Sequence, residues 1–199
     1  GGGLTHQNEV KAAWYKMTSL IGRILGIEKG TDEYVKAIQK TIEKNGIAVS
    51  LEEVAADEKS LWVAYSLTDE NDENDISMNS VQAAVDGEAL ALERQYALNN
   101  STGSEKTASK YFVAKFNRSK ADRSQKFEIE IGTFQNENGQ VEEKDAYEFS
   151  FTADPEVLEA DTKEIDIQTS IPIEKNQTFL LSEMKYNIFG CTISGSFSD

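Results

Sequence analysis

Glu128 and Glu130 are the residues whose type and spacing come nearest to catalytic chemistry. On a strand, residues two apart project from one face roughly 7 Å apart, which overlaps the carboxylate separations of glycosidases. Phe127, Ile129 and Ile131 alternate with the two glutamates. A half-buried strand with an acidic solvent face gives the same spacing without any chemistry. No aromatic platform for a sugar stands beside the pair, so the solvated face is the preferred reading.

The other reactive side chains are scarce. A Ser-His-Asp or Cys-His arrangement, or a histidine-bearing zinc site, would have to recruit His6, the one histidine, which lies in a polar leader ahead of the first predicted helix. Cys191 is the one cysteine, which excludes an internal disulfide. With no basic neighbour to lower its pKa and a strand-like setting beside Ile193, it is expected to be a small buried hydrophobe. The acidic run at 69–75 invites a calcium reading. An EF-type loop starting at Asp69 needs glycine at its sixth position and glutamate at its twelfth, where this chain has Asn74 and Ser80. A solvated loop is therefore preferred. Gly22, Gly26 and Gly30 follow no predicted strand, so they do not form a phosphate-binding loop. The sequence assigns no catalytic, metal or cofactor-binding residue, and the expectation is a protein that is not an enzyme.

Two aromatic residues stand out as packing or partner surfaces. Trp14 belongs to a stripe with Val10, Met17, Ile21 and Ile24 at helical spacing, expected to pack on a core rather than on a partner. Trp62 points opposite to Leu61, Val63 and Tyr65, where a large aromatic would not be left in water without cause. The favoured expectation is that the N-terminal helix or the C-terminal strands cover it. The functional alternative is an anchor for a partner protein.

Charge excludes a phosphate-backbone ligand, since 20 basic residues face 35 acidic ones for a net of −15. Residues 1–45 carry 7 basic and 5 acidic residues, or +2, and the remainder 13 and 30, or −17. A mildly basic neck before an acidic body suits a domain whose N-terminal end faces anionic lipid, although ordinary solubilising charge has the same appearance. No apolar run is long enough to cross a bilayer and no signal peptide is present.

The elements that must position these residues are mostly strands. Residues 8–25 read as an amphipathic helix stopped by Gly26 or Gly30, and Thr31, Asp32 and Glu33 read as the start of a second short helix through Tyr34, Val35 and Ile38. Asn45-Gly46 is a two-residue hairpin signal, and Ile47, Val49 and Leu51, then Leu61, Val63, Tyr65 and Leu67, alternate as half-buried antiparallel strands about a polar turn at 57–60. Asp86-Gly87 is a second hairpin signal and Asn138-Gly139 a third turn. Residues 88–98 suit helix by propensity and strand by alternation. Residues 99–110 read as a polar loop. Strands are predicted at 111–116, 126–134 with a bulge at Gly132, 147–151, 165–171, 178–184 and 191–197, with Asp154-Pro155 closing a unit.

The order from Ile21-Gly22 through Lys29-Gly30, Tyr34 and Asn45-Gly46 to the alternating strand ending at Tyr65 resembles the extracytoplasmic part of a family of bacterial membrane-anchored domains of unknown function, described as negative effectors of extracytoplasmic-function sigma factors, that is, anti-sigma factors. The resemblance favours strand from about 39 to 44 and from 88 to about 93. It implies a regulatory domain on the extracytoplasmic face of the membrane, anchored by an upstream helix, with the sigma factor bound by a cytoplasmic segment outside this chain and an envelope protein or cell-wall ligand as the candidate signal. The competing expectation is a structural or adhesive cell-surface module. The expected architecture is mostly β: an N-terminal helical neck at 1–38, an immunoglobulin-like antiparallel β-sandwich at 39–154, and additional strands at 155–199 that complete the first sandwich or start a second.

Overall fold

The computed structural model describes residues 19–27, 33–69, 76–98, 109–137, 140–174 and 177–198. The chain divides into two compact units, residues 1–159 and 160–199.

In the first unit, short polar turns fold alternating sequence into antiparallel strands. Strand β1 (Lys36–Lys44) turns through Asn45-Gly46 into β2 (Ile47–Ala56), with both turn residues at positive φ, 51° and 78°. Asp57 shapes the next turn by accepting from the backbone N–H groups of Lys59 and Ser60 at 2.9 and 2.7 Å, and β3 (Ser60–Asp69) follows. β4 (Ile76–Val85) turns through Asp86-Gly87, again at positive φ, into β5 (Glu88–Ala89). The chain then changes sheets: Leu90 N–H donates to the Ala83 carbonyl at 2.8 Å, and β6 (Ala91–Leu98) pairs with β7 (Lys110–Asn117). β8 (Gln125–Glu137) and β9 (Gln140–Ala153) pair along their length.

The result is an antiparallel sandwich of a five-stranded sheet, β1-β2-β3-β7-β6, and a four-stranded sheet, β5-β4-β8-β9. Leu51, Leu61, Tyr65 and Phe116 from one sheet and Phe127, Ile129, Ile131 and Tyr147 from the other share one core. One flank is closed by side chains: Lys40 Nζ donates to the Ser150 carbonyl at 3.1 Å, and Tyr147 hydroxyl lies 3.3 Å from the carbonyls of Lys44 and Ile47. A one-turn helix, α2 (Pro155–Leu158), ends the unit by burying Leu158 in that core.

Several expectations change. Ser19 has a non-helical ψ of 147° and caps helix α1 (Leu20–Leu25), so no single helix runs across 8–25. Gly26, at φ 70°, ends α1. The second short helix is absent at Val35 to Ile38: Tyr34 lies in a turn and β1 starts at Lys36, because Ile38 and Ile42 pack against the core from a strand. Strand character continues to Leu98, cross-strand pairing overriding helix propensity. Gly132 is regularly paired with Ala146, and the register shift falls between Thr133 and Phe134. The acidic run beyond Asp69, the loop at 99–108 and the Asn138-Gly139 turn lie outside the described residues.

The second unit is a three-stranded antiparallel sheet, β10 (Lys163–Glu174), β11 (Gln177–Asn187) and β12 (Gly190–Ser198). Register places Ile165, Met184 and Ile193 side by side, and likewise Ile171, Phe179 and Phe197. The alternate face carries Glu164 opposite Lys185 and Asp166 opposite Glu183, with Lys185 Nζ 3.1 Å from both Glu164 and Glu183 carboxylates. Cys191 is exposed, contrary to the buried role expected of it, because it sits on the apolar face beside Tyr186 and that face is open.

Candidate functional site

The five-stranded sheet has a second buried face, away from the shared core. Every residue of β3 from Ser60 to Leu67 is buried, which requires a cover on the side of Trp62, Ala64 and Ser66. Helix α1 lies against β2, β3 and β7, with Ile21 buried completely. The site begins with a bulge in β2. Between the pairs Leu51↔Tyr65 and Glu53↔Ala64, Glu52 is an extra residue, so both glutamates serve the outer face. Glu52 accepts from Ser66 hydroxyl at 2.6 Å. Glu53 reaches the start of α1, where its two carboxylate oxygens accept from Leu20 N–H at 2.9 Å and Ile21 N–H at 3.4 Å. Ser19 hydroxyl takes the Gly22 N–H at 2.7 Å. The first N–H groups of a helix have no partner within it, and an anion there is favoured by the helix dipole. Glu53 therefore joins the neck to the sandwich electrostatically, beside the apolar seat of Ile21.

Trp62 lies within this covered face, only 3% exposed. Lys115 Nζ sits 5.3 Å from the Trp62 ring centroid and 2.8 Å from Glu93. The partner-anchor alternative for Trp62 is thereby corrected: the ring is already enclosed within this chain. Trp14 and His6 lie outside the described residues. Glu128 and Glu130 are on the outer face of the other sheet, remote in the fold from this latch, with Lys126 Nζ 2.6 Å from Glu128 and Glu148 directly across from Glu130. Among the described residues no group of three or more metal-ligating side chains comes together.

Two polar clusters escaped the sequence reading. Arg118, with a side chain only 2% exposed, donates from Nη2 to Glu159 at 2.7 Å and to Gln125 at 3.0 Å, while its guanidinium lies 5.8 Å from the Phe127 ring centroid. It ties the end of β7 to the start of β8 and to the residue after α2. Tyr65, Asn79 and Gln95 join three strands by hydrogen bonds of 2.5 to 2.6 Å. Burial pushes the Tyr65 hydroxyl well above its ordinary pKa. Burial, aided by the Asp145 charge, pushes Tyr147 up to about 12. No local motif announces such residues; only the pairing of distant strands brings them together.

These features define a β-sandwich with a helix docked on the outside of one sheet. Residues 6–69 match a family described as a domain of unknown function, DUF4179. That stretch contains α1, β1, β2 and β3, and with them both sides of the Glu53 latch. No curated protein matches the chain. A solved structure described as "The crystal structure of the conserved domain protein from Bacillus anthracis" is similar in fold, with 16% identity and a TM-score of 0.51 over 80% of this chain and 53% of that one. The chain thus spans about half the length of that protein.

Proposed function

We propose that this chain is the extracytoplasmic regulatory part of a membrane-anchored anti-sigma factor, acting without catalysis. The observation that carries the reading is the latch: the segment that matches the family of unknown function contains a neck helix held to the sandwich by Glu53 and Ile21. The +2 charge of residues 1–45 against −17 for the remainder supports a neck oriented toward anionic lipid. In this reading an upstream membrane helix connects the neck to a cytoplasmic segment that holds the sigma factor. An envelope protein or cell-wall ligand acting on the sandwich shifts α1 between docked and undocked states. A ligand changes that equilibrium only through its different affinity for the two states, so α1 is the bistable element.

The test is made in the full-length protein. Ile21→Asp removes the apolar seat of α1, and deletion of residues 39–199 removes the docking surface altogether. Both are expected to change transcription from the cognate sigma-dependent promoter relative to the unaltered protein. Unchanged transcription in both variants, under every envelope stress applied, overturns the regulatory reading and leaves the adhesive module ahead.

A further inference from the structure

We infer that the first unit binds a small zwitterion, an amino acid or dipeptide with a free carboxylate and a free ammonium, in the mouth of the sandwich. Where β5 gives way to β6, a cavity of about 570 Å³ is lined by Val85, Glu88 and Gln125 from the four-stranded sheet and by Ala91, Asn117 and the adjoining Arg118 from the five-stranded one. Its volume lies within the roughly 300 to 1,000 Å³ of small-molecule sites. Strand alternation sets its floor: Phe116 and Phe127 are core residues, so Arg118, two past the first, and Gln125, two before the second, are turned the same way, into the end of the sandwich.

The carboxylate is identified by Arg118. A guanidinium donates from all three of its nitrogens. Nη2 of Arg118 serves Glu159 and Gln125, and Nε serves the Ser119 carbonyl at 3.3 Å, whereas Nη1 is buried and meets no acceptor among the described residues. A buried charged donor left unmet is costly and calls for a partner that the chain does not supply. A carboxylate answers it best, because a hydrogen bond between two ionised groups is stronger than one to a neutral acceptor. Arg123, with a side chain 77% exposed, is held only by a 3.5 Å contact with Asp86 and can swing onto the same carboxylate. The ammonium follows from the rim, where Glu88 is exposed and has no ion pair among the described residues. Two guanidiniums and two carboxylates surround the cavity, and the chain carries −15. That balance opposes a polyanion but not a molecule with one charge of each sign. Ala89 and Ala91 keep the wall small and apolar, suited to a methyl or another short side chain. The site is independent of the regulatory reading, since it uses no residue of the Glu53 latch.

Titration of the 199-residue chain with alanyl-alanine, followed by NMR, is expected to shift the backbone amides of Ala89, Ala91, Asn117 and Ser119 and the Nε–H of Arg118 saturably, at millimolar ligand or below, while residues 160–199 stay in place. The N-acetylated dipeptide lacks the ammonium for Glu88 and the dipeptide amide lacks the carboxylate for Arg118, and each should bind about tenfold more weakly. Glu88→Gln, at an exposed position, should weaken alanyl-alanine by about the same factor without altering unfolding, whereas Glu148→Gln on the outer face of the four-stranded sheet should change nothing. In Arg118→Lys, which keeps the charge near Glu159, the dipeptide and its amide should bind alike; the Nε–H shift in the unaltered chain tests the same contact should that variant fail to fold. No saturable shift with alanyl-alanine, shifts confined to other residues, equal affinity for the acetylated or amidated form, or the same shifts with inorganic phosphate at equal affinity would each overturn the proposal.

Discussion

The two units each build a sheet with an apolar side beyond what local pairing can cover, and they resolve it differently. The outer face of β2, β3 and β7 is sealed within the chain by α1, which brings Ile21 for the apolar surface and exposes its first N–H groups to Glu53. The face of β10, β11 and β12 carries residues of the same kind, yet Ile193 and Phe197 stand in water. A covered face needs both an apolar plug and a means of satisfying the plug's polar ends. The first unit has both from its own sequence. Among the described residues the second has neither, and its apolar side chains stay exposed while those of the first unit form a core.

Substitution of the plug should break the contrast most strongly. Ile21→Asp places a charge where no water reaches, and is expected to cost about 4 kcal/mol or, short of that, to release α1 from the sandwich. In a Trp14→Phe background Trp62 is the remaining tryptophan, so release appears as a red shift of its emission. Phe197→Asp on the open face should leave the unfolding of the first unit within about 0.5 kcal/mol of the original. Equal effects of the two substitutions would erase the distinction between the faces.

A second break concerns how the first unit satisfies its buried charges. Arg118→Met strands Glu159 and Gln125 in a place where the Arg118 side chain is 2% exposed and that of Glu159 11%. Removal of one partner of such a pair is expected to cost about 3 kcal/mol in chemical unfolding, and Glu159→Met added to it should restore much of the loss. If the double variant is as unstable as the sum of the singles, the pair is not the unit of stability.

Much of the fold was legible because it depends on local chemistry. Asn45-Gly46 and Asp86-Gly87 accept positive φ, and alternation at Ile47 to Leu51 and at Phe127 to Ile131 marks the face turned inward. The cover over Trp62 could be anticipated from the improbability of leaving an indole in water. The latch itself could not, because Glu53 faces outward only by virtue of a bulge at Glu52, and bulges leave no signature in hydrophobic periodicity. Arg118 and Glu159 are 41 residues apart and meet only after β7 and α2 have been placed. Cys191 misled for the complementary reason: strand alternation identifies the apolar side of a sheet but not whether anything lies upon it.

The smallest expected effect at neutral pH separates the sealed core by titration. Tyr147 is fully buried, and burial together with the Asp145 charge raises its pKa from 10.0 to about 12. Between those values the unfolded chain releases the phenolic proton while the folded chain keeps it, so the folded state binds more protons and loses stability as pH rises. The contribution is intact below pH 10 and declines as pH passes from there through 12; the burial of Tyr65 acts in the same direction. Urea unfolding of the first unit should accordingly show a fall in stability beginning near pH 10. Tyr147→Phe, which gives up one long hydrogen bond shared between the Lys44 and Ile47 carbonyls, each 3.3 Å away, should cost about 1 kcal/mol at pH 8 and make the alkaline fall shallower. An identical alkaline slope in the Tyr147→Phe variant would mean that the hydroxyl is not sealed, and that the first unit's enclosure is less complete than its contrast with the second requires.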